Sequence, residues 1–314
     1  MKVRKVTVVG AGKYGSTTAE KIARMDLVDQ VVMTDILEGI PQGLALDMNQ
    51  ARPVERYRTL VVGTNDYEET AGSEVVVITA GSPRKPGMSR MDLLTVNAKV
   101  VKAVTEQIMK YSPEAILVVV TNPLDHMTTL AAEVSGLAKN KVMGQAGILD
   151  SSRLAHFISE MADVDIFDVE ALTLGSHGPT MVPVPSQCSV GGKSLDEVFS
   201  AEQIEALIDR TRKGGAEIVG LLKTGSAYYA PSSAAAAMVK AIVTDSREAQ
   251  PVCAWTDGAY GLADGYLGVT AKIGANGVEE VVELPLTDSE MEALKEAAEA
   301  VAANVAELHD VDYS

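Results

Sequence analysis

Lys5-Val6-Thr7-Val8-Val9-Gly10-Ala11-Gly12-Lys13-Tyr14-Gly15 is the stretch on which the fold turns. Its first half is apolar and β-branched, the pattern of a buried strand, and it runs directly into G-x-G-x-x-G. Gly10 allows a tight turn, Gly12 lets backbone approach a pyrophosphate, and Gly15 permits close packing of a helix on the sheet. Ala11, Lys13 and Tyr14 complete the loop, and the N-terminus of a helix over Tyr14–Met25 faces the anion. Glycine-rich turns are common, so the context carries the reading. A second strand, Gln30–Thr34, ends in Asp35, 20 residues past Gly15. A carboxylate there accepts hydrogen bonds from both adenosine ribose hydroxyls and repels a 2′-phosphate, which predicts NAD over NADP.

Outward from this unit, strand and helix patterns alternate. Strands are expected at Arg58–Gly63, Val75–Thr79, Ala115–Val120 and Lys141–Gly144. Helices are expected at Gly39–Ala51, Asp92–Tyr111 and His126–Ser135. Continuous apolar strands alternating with helices predict a doubly wound parallel sheet covered on both faces, a Rossmann arrangement. The second half differs. After a long helix from about Ser151 come strand-like runs at Val169–Leu174, Thr180–Val184 and Cys188–Val190, then helices at Ala201–Leu222 and Pro231–Thr244. Val252–Tyr260 and Tyr266–Ile273 look antiparallel, and Asp288–His309 is a final amphipathic helix. The expectation is α/β throughout: an NAD-binding domain over 1–149 and a mixed α/β catalytic domain over 150–314.

Composition narrows the function classes. The chain has 314 residues, 46% of them hydrophobic and 22% charged, which excludes intrinsic disorder. Its net charge of −16 repels phosphate backbones and argues against a nucleic-acid partner. The acidity fits either a solvated surface or adaptation to high salt. No apolar run is long enough for a membrane span, and the start of the chain lacks a signal-type segment. Two cysteines, Cys188 and Cys253, make neither a disulfide framework nor a four-thiolate metal site. A cytoplasmic protein without a metal is the expectation.

Of the four histidines, His126 and His156 fall within helical patterns and His309 lies near a polar end of the chain. His177 stands apart, in Gly175-Ser176-His177-Gly178 at the end of an apolar run, where a side chain can face a cleft, although a lone loop histidine is more often structural than catalytic. Asp150 and Arg153 lie three residues apart at a helix start and share a helix face, as a functional pair or merely as a cap and a surface ion pair. Gly81-Ser82-Pro83-Arg84-Lys85-Pro86-Gly87-Met88-Ser89-Arg90 has the composition of a loop that delivers arginines to an anion, or of a solvated basic loop. Thr121-Asn122-Pro123 follows a strand, at a carboxyl end where open α/β sheets bind ligands.

Taken in order, GAGKYG, Asp35, the arginine loop to Arg90, TNP, LDSSR and GSHG resemble the lactate/malate dehydrogenase family essentially from end to end. SPRKPGMSR is similar to the malate branch built on the lactate-dehydrogenase-like scaffold. The resemblance implies His177 as acid/base, Asp150 as its carboxylate partner and Arg153 as the clamp on the substrate carboxylate. It also implies that Arg90 polarises the reacting carbonyl, that Asn122 contacts substrate and that Arg84 sets substrate choice. Asn97 and Val120 match positions approaching the nicotinamide half of NAD, beside Thr121 and Asn122. The implied substrate pair is malate and oxaloacetate, and the implied assembly is a homo-oligomer, dimer or tetramer. Gly225-Ser226-Ala227 replaces a segment where lactate-specific members carry a threonine. The competing readings are a lactate or other 2-hydroxyacid dehydrogenase and a noncatalytic NAD-binding module.

Overall fold

A computed structural model describes residues 4–83 and 89–309 of the chain, and of Arg90 and His309 the backbone only. The first half runs β1 (Lys5–Val9), α1 (Lys13–Arg24), β2 (Gln30–Thr34), α2 (Ile40–Glu55), β3 (Leu60–Thr64) and β4 (Val75–Ile78). It continues with α3 (Arg90–Tyr111), β5 (Ile116–Val119), α4 (Leu124–Ser135) and β6 (Val142–Gly144). These six strands are all parallel in the order β3-β2-β1-β4-β5-β6, a doubly wound sheet as the sequence predicted. Every residue of β4 and β5 is buried, as strands covered by helices on both faces must be. The order reverses between β1 and β4, and the crevice opens at their carboxyl ends.

The second half runs α5 (Gly147–Ala162), β7 (Val169–Glu170), β8 (Thr173–Gly175), β9 (Met181–Pro183), β10 (Ser189–Val190), β11 (Lys193–Ser194) and α6 (Leu195–Val198). Then come α7 (Ala201–Leu222), α8 (Tyr229–Thr244), β12 (Ala249–Trp255), β13 (Tyr266–Gly274), β14 (Gly277–Val281) and α9 (Asp288–His309). The expected division at 149/150 falls inside α5, which begins at Gly147 rather than near Ser151. The central sheet does not stop there either. β6 pairs antiparallel with β12 at Gly144 and Cys253, and β13, β8 and β9 extend the same sheet.

Two predicted strands are corrected. Val169–Leu174 is not one strand: β7 joins a small sheet with β10 and β11, whereas β8 joins the central sheet. The chain changes sheets at Ala171-Leu172, where the Leu172 N–H turns to the Cys188 sulfur at 3.4 Å instead of a ladder partner. Apolar periodicity is the same on both sides of such a crossover and cannot reveal it. The strand expected over Val252–Tyr260 starts earlier, at Ala249, and ends at Trp255. Asp257 and Gly258 both take positive φ there, which breaks the extended run.

One close backbone approach ties this sheet to the His177 loop. Gly268 of β13 faces Gly175 of β8, and a Cβ built on Gly268 would lie 2.2 Å from the Gly175 carbonyl oxygen. Gly268→Ala is expected to lower stability by about 2 kcal/mol, the cost of overpacking a closed contact, and to reduce turnover by shifting the loop two residues on. Thermal melts and steady-state rates check this; a variant with the parental melting temperature would show that β8 gives way freely.

Candidate active site

The carboxyl ends of β1, β4, β5 and β6 meet in one cleft of about 550 Å³. Gly12, Tyr14, Asn97, Asn122, Arg153 and His177 all line it. Cavities of about 600 and 530 Å³ flanking Trp255 are of similar size but contain neither the glycine turn nor His177. Chemistry, not volume, marks the site.

The glycine turn has the shape its sequence requires. Gly10 has φ +106°, and a Cβ there would stand 2.7 Å from the Thr79 hydroxyl. A Cβ on Gly15 would stand 1.8 Å from the Gly10 carbonyl oxygen, so α1 can close on the turn only without a side chain. Gly12 caps α1 with open space around its Cα, leaving the helix N-terminus clear for an anion. Asp35, at the end of β2, accepts from the Ala11 N–H at 2.6 Å and the Leu37 N–H at 2.9 Å. Its carboxylate is thus held beside the turn. The open cradle at Gly12 and the acid at Asp35 fit a dinucleotide with a free 2′-hydroxyl.

Lys13 begins α1 and places its ammonium 5.6 Å from the centre of the Tyr228 ring. The Tyr14 hydroxyl donates to Gln145 Oε1 at 3.1 Å, and its burial pushes the phenol's pKa upward. Asn97, buried on α3, has its amide occupied by backbone. Its Oδ1 accepts from Ser82 N at 2.7 Å and its Nδ2 donates to Asn122 O at 2.7 Å. It therefore joins the loop after β4 to the loop after β5. Val120 continues β5, and the Thr121 hydroxyl donates to Ala80 O at 2.7 Å. Arg84 and the Arg90 side chain lie outside the described residues.

The remaining three expected residues come together beside this cleft, with Arg153 and His177 in its lining. Asp150, 1% exposed in the first turn of α5, accepts from Arg153 Nη1 at 3.2 Å on Oδ1. Its Oδ2 pairs with His177 Nδ1 at 2.7 Å. Burial opposes a charged imidazole at His177. The Asp150 charge, its hydrogen bond and the charge of Asp125 outweigh that, so the ring's pKa is raised above 6.5. With Nδ1 committed to Asp150, Nε2 is left to exchange a proton with a ligand.

Two features escaped the sequence reading. Gly214 and Gly215 lie inside α7, where a Cβ on Gly214 would come 3.2 Å from Arg153 Cδ. Their missing side chains make room for the Arg153 guanidinium, and a glycine pair inside a helical pattern was the available signal. Asp125 Oδ2 accepts from the His177 backbone N–H at 3.3 Å, a contact that nothing in the local pattern announces. Among the described residues no His, Cys, Asp and Glu cluster suited to a metal occurs, and no helix is long and apolar enough to cross a membrane.

The raised His177 pKa has a defined consequence for stability. Below about 6.5 the ring is protonated folded or unfolded, and the pairing with Asp150 contributes fully. That contribution is lost as pH rises through the raised folded value. His177→Asn should therefore lower the melting temperature more at about pH 6 than at about pH 9. Equal losses at the two pH values would mean that the ring is not held as a cation.

Comparison with known proteins gives the same outline. Residues 4–144 match the lactate/malate dehydrogenase NAD binding domain, and residues 148–311 match the lactate/malate dehydrogenase alpha/beta C-terminal domain. A malate dehydrogenase of Roseiflexus sp. (strain RS-1) is 50% identical over 97% of this chain and 98% of its own. The solved malate dehydrogenase of Salinibacter ruber superposes with a TM-score of 0.93 at 47% identity, covering 98% of each chain. The lactate dehydrogenase of Cryptosporidium parvum, solved with lactic acid and nicotinamide adenine dinucleotide, superposes with a TM-score of 0.95 at 40% identity over 99% of each chain.

Proposed function

The chain belongs to the lactate/malate dehydrogenase family, and we propose that it interconverts (S)-malate and oxaloacetate with His177 as the acid/base, Asp150 as its partner and Arg153 as the carboxylate clamp. It is an NAD-dependent oxidoreductase acting on malate. The observation that carries the assignment of roles is the buried Asp150 carboxylate, bonded at once to His177 and Arg153 beside the cleft. When bound, NAD supplies the acceptor for the hydrogen that leaves C2 of malate.

In oxidation, neutral His177 accepts the hydroxyl proton at Nε2, and Asp150 orients the ring and stabilises the imidazolium. In reduction the imidazolium is the acid, and Arg90 stabilises charge developing on the oxaloacetate carbonyl oxygen. Arg153 lines the cleft with Nη1 engaged by Asp150, and the rest of its fork is offered to a substrate carboxylate. Asn122 contacts substrate, and Asn97, Val120 and Thr121 shape the nicotinamide end of the cleft. Gly10 to Gly15 and Asp35 hold the pyrophosphate and adenosine ribose. We assign residues 1–149 to NAD and 150–314 to substrate. A cytoplasmic homo-oligomer, dimer or tetramer, fits the two buried free cysteines and the apolar side chains exposed along α2, Leu46 and Val54 among them.

His177→Asn should lower kcat by roughly two to four powers of ten with NADH binding little changed, the span of acid/base catalysis. Stopped-flow turnover with fluorescence titration of NADH reads both, and near-parental turnover would remove His177 from the role.

Arg84 decides between malate and lactate chemistry. Oxaloacetate carries a second carboxylate where pyruvate ends in a methyl group, and Arg153 grips the carboxylate common to both. A guanidinium facing the other end attracts the extra carboxylate and is left desolvated and unpaired against pyruvate. Both effects favour oxaloacetate, and together they are worth roughly a thousandfold in relative kcat/KM. Arg84→Gln is expected to lose most of that ratio. A ratio within a few-fold of the parent would make Arg84 a solvated cation of the loop.

A further inference from the structure

Asp125 is a buried acid that the reaction as described does not use. It occupies the second position of α4, in the same segment as Asn122, and is 6% exposed. Oδ2 accepts the His177 backbone N–H at 3.3 Å, while Oδ1 receives no N–H or O–H donor among the described residues. The groups facing the carboxyl are His177 from the loop after β8, Asp150 from α5 and the Cys253 thiol from β12. The same thiol also contacts Thr128 of α4. Burial pushes the Asp125 carboxyl up to about 6, against the favourable charge and N–H of His177.

A carboxylate in this position is costly for the backbone N–H and the weak thiol donor that it meets. An asparagine oxygen would accept the same N–H without a desolvated charge. The charge gains a use only where a positive charge forms nearby, and His177 becomes imidazolium in every oxidative turnover. Asp150 cannot serve that cation alone, because its other oxygen is engaged by Arg153, whose own charge lowers the His177 pKa. Asp125 acts on His177 in the opposite sense, raising it.

We propose that Asp125 is a positioning residue with two effects on His177: its bond to the backbone N–H registers the loop against α4 and Asn122, and its charge supports the imidazolium alongside that of Asp150. The proposal rests on His177 being the acid/base. It separates two devices that act on one ring. Asp150 holds the side chain, and Asp125 holds the backbone that carries it. The bond also spans the two halves of the chain, from the first turn of α4 to the loop after β8.

The test is histidine titration by NMR on the full-length protein labelled at histidine, with the His177 signal identified by its loss in His177→Asn. Asp125→Asn keeps an acceptor and removes the charge. Its His177 midpoint should fall by about one pH unit, the effect of removing a nearby opposite charge. The rising limb of kcat/KM for malate should move down by the same interval. Asp125→Leu removes both the acceptor and the charge, and should lower kcat at least tenfold with NADH affinity within twofold of the parent. Coincident His177 titrations in the parent and Asp125→Asn would overturn the electrostatic effect. An Asp125→Leu protein that turns over within twofold of the parent would overturn the positioning effect. Near-parental turnover of His177→Asn would instead overturn the acid/base assignment, while the titration still reads the influence of Asp125 on the ring.

Discussion

A carboxylate at 1% exposure is an expense that few folds carry without a partner, and Asp150 has two. His177 at 2.7 Å and Arg153 at 3.2 Å divide its oxygens between them. Removing either leaves a buried charge half satisfied. The elements that bring the three together are therefore under a common constraint. Arg153 sits one turn along α5 from Asp150, so a single helix sets that contact. His177 arrives from β8, and its approach depends on how closely β8 can pack against β13.

That dependence runs through backbone rather than side chains. Gly268 and Gly175 meet with no room for a Cβ, and Gly214 leaves room beside Arg153 on the opposite side. Small residues at these places allow helix, strand and guanidinium to converge: a methyl group at Gly268 would press on the Gly175 backbone, and one at Gly214 on the Arg153 side chain. The central sheet continues from the parallel strands through β12 into β13 and β8, so the nucleotide crevice and the His177 loop share one frame. Asn97 fastens the loops after β4 and β5 with hydrogen bonds to Ser82 and Asn122. The cleft is thus preorganised on both sides, which is what transfer between two bound partners requires.

The electrostatics differ between the glycine turn and the His177 loop. At the turn, the α1 N-terminus and the open space at Gly12 favour an anion, and the Asp35 carboxylate is held beside them by the Ala11 and Leu37 N–H groups. At the His177 loop, two buried carboxylates, Asp150 and Asp125, raise the ring's pKa, and Arg153 opposes them. Burial works against the charged ring, yet the two carboxylates prevail and its pKa stands above 6.5.

What the sequence determined by itself is everything local. The parallel half of the sheet, the glycine turn, Asp35 and the helix starting near Asp150 follow from periodicity, from glycines at fixed offsets and from a three-residue spacing along one helix. These are contacts within a few residues or within one strand–turn–helix unit. Even there, the resemblance of ordered motifs was needed to choose a catalytic pair over a surface pair. The tertiary structure decided the rest. Val169–Leu174 divides between two sheets because a ladder partner far away in sequence takes over, and alternation looks the same in either sheet. Asp125 meets His177 across 52 residues, and Gly214 meets Arg153 across a helix–helix contact. Gly268 meets Gly175 where two strands need backbone contact. Long-range packing brings such groups together, and the energy that selects them belongs to burial and close approach, neither of which is written in the neighbours of a single residue.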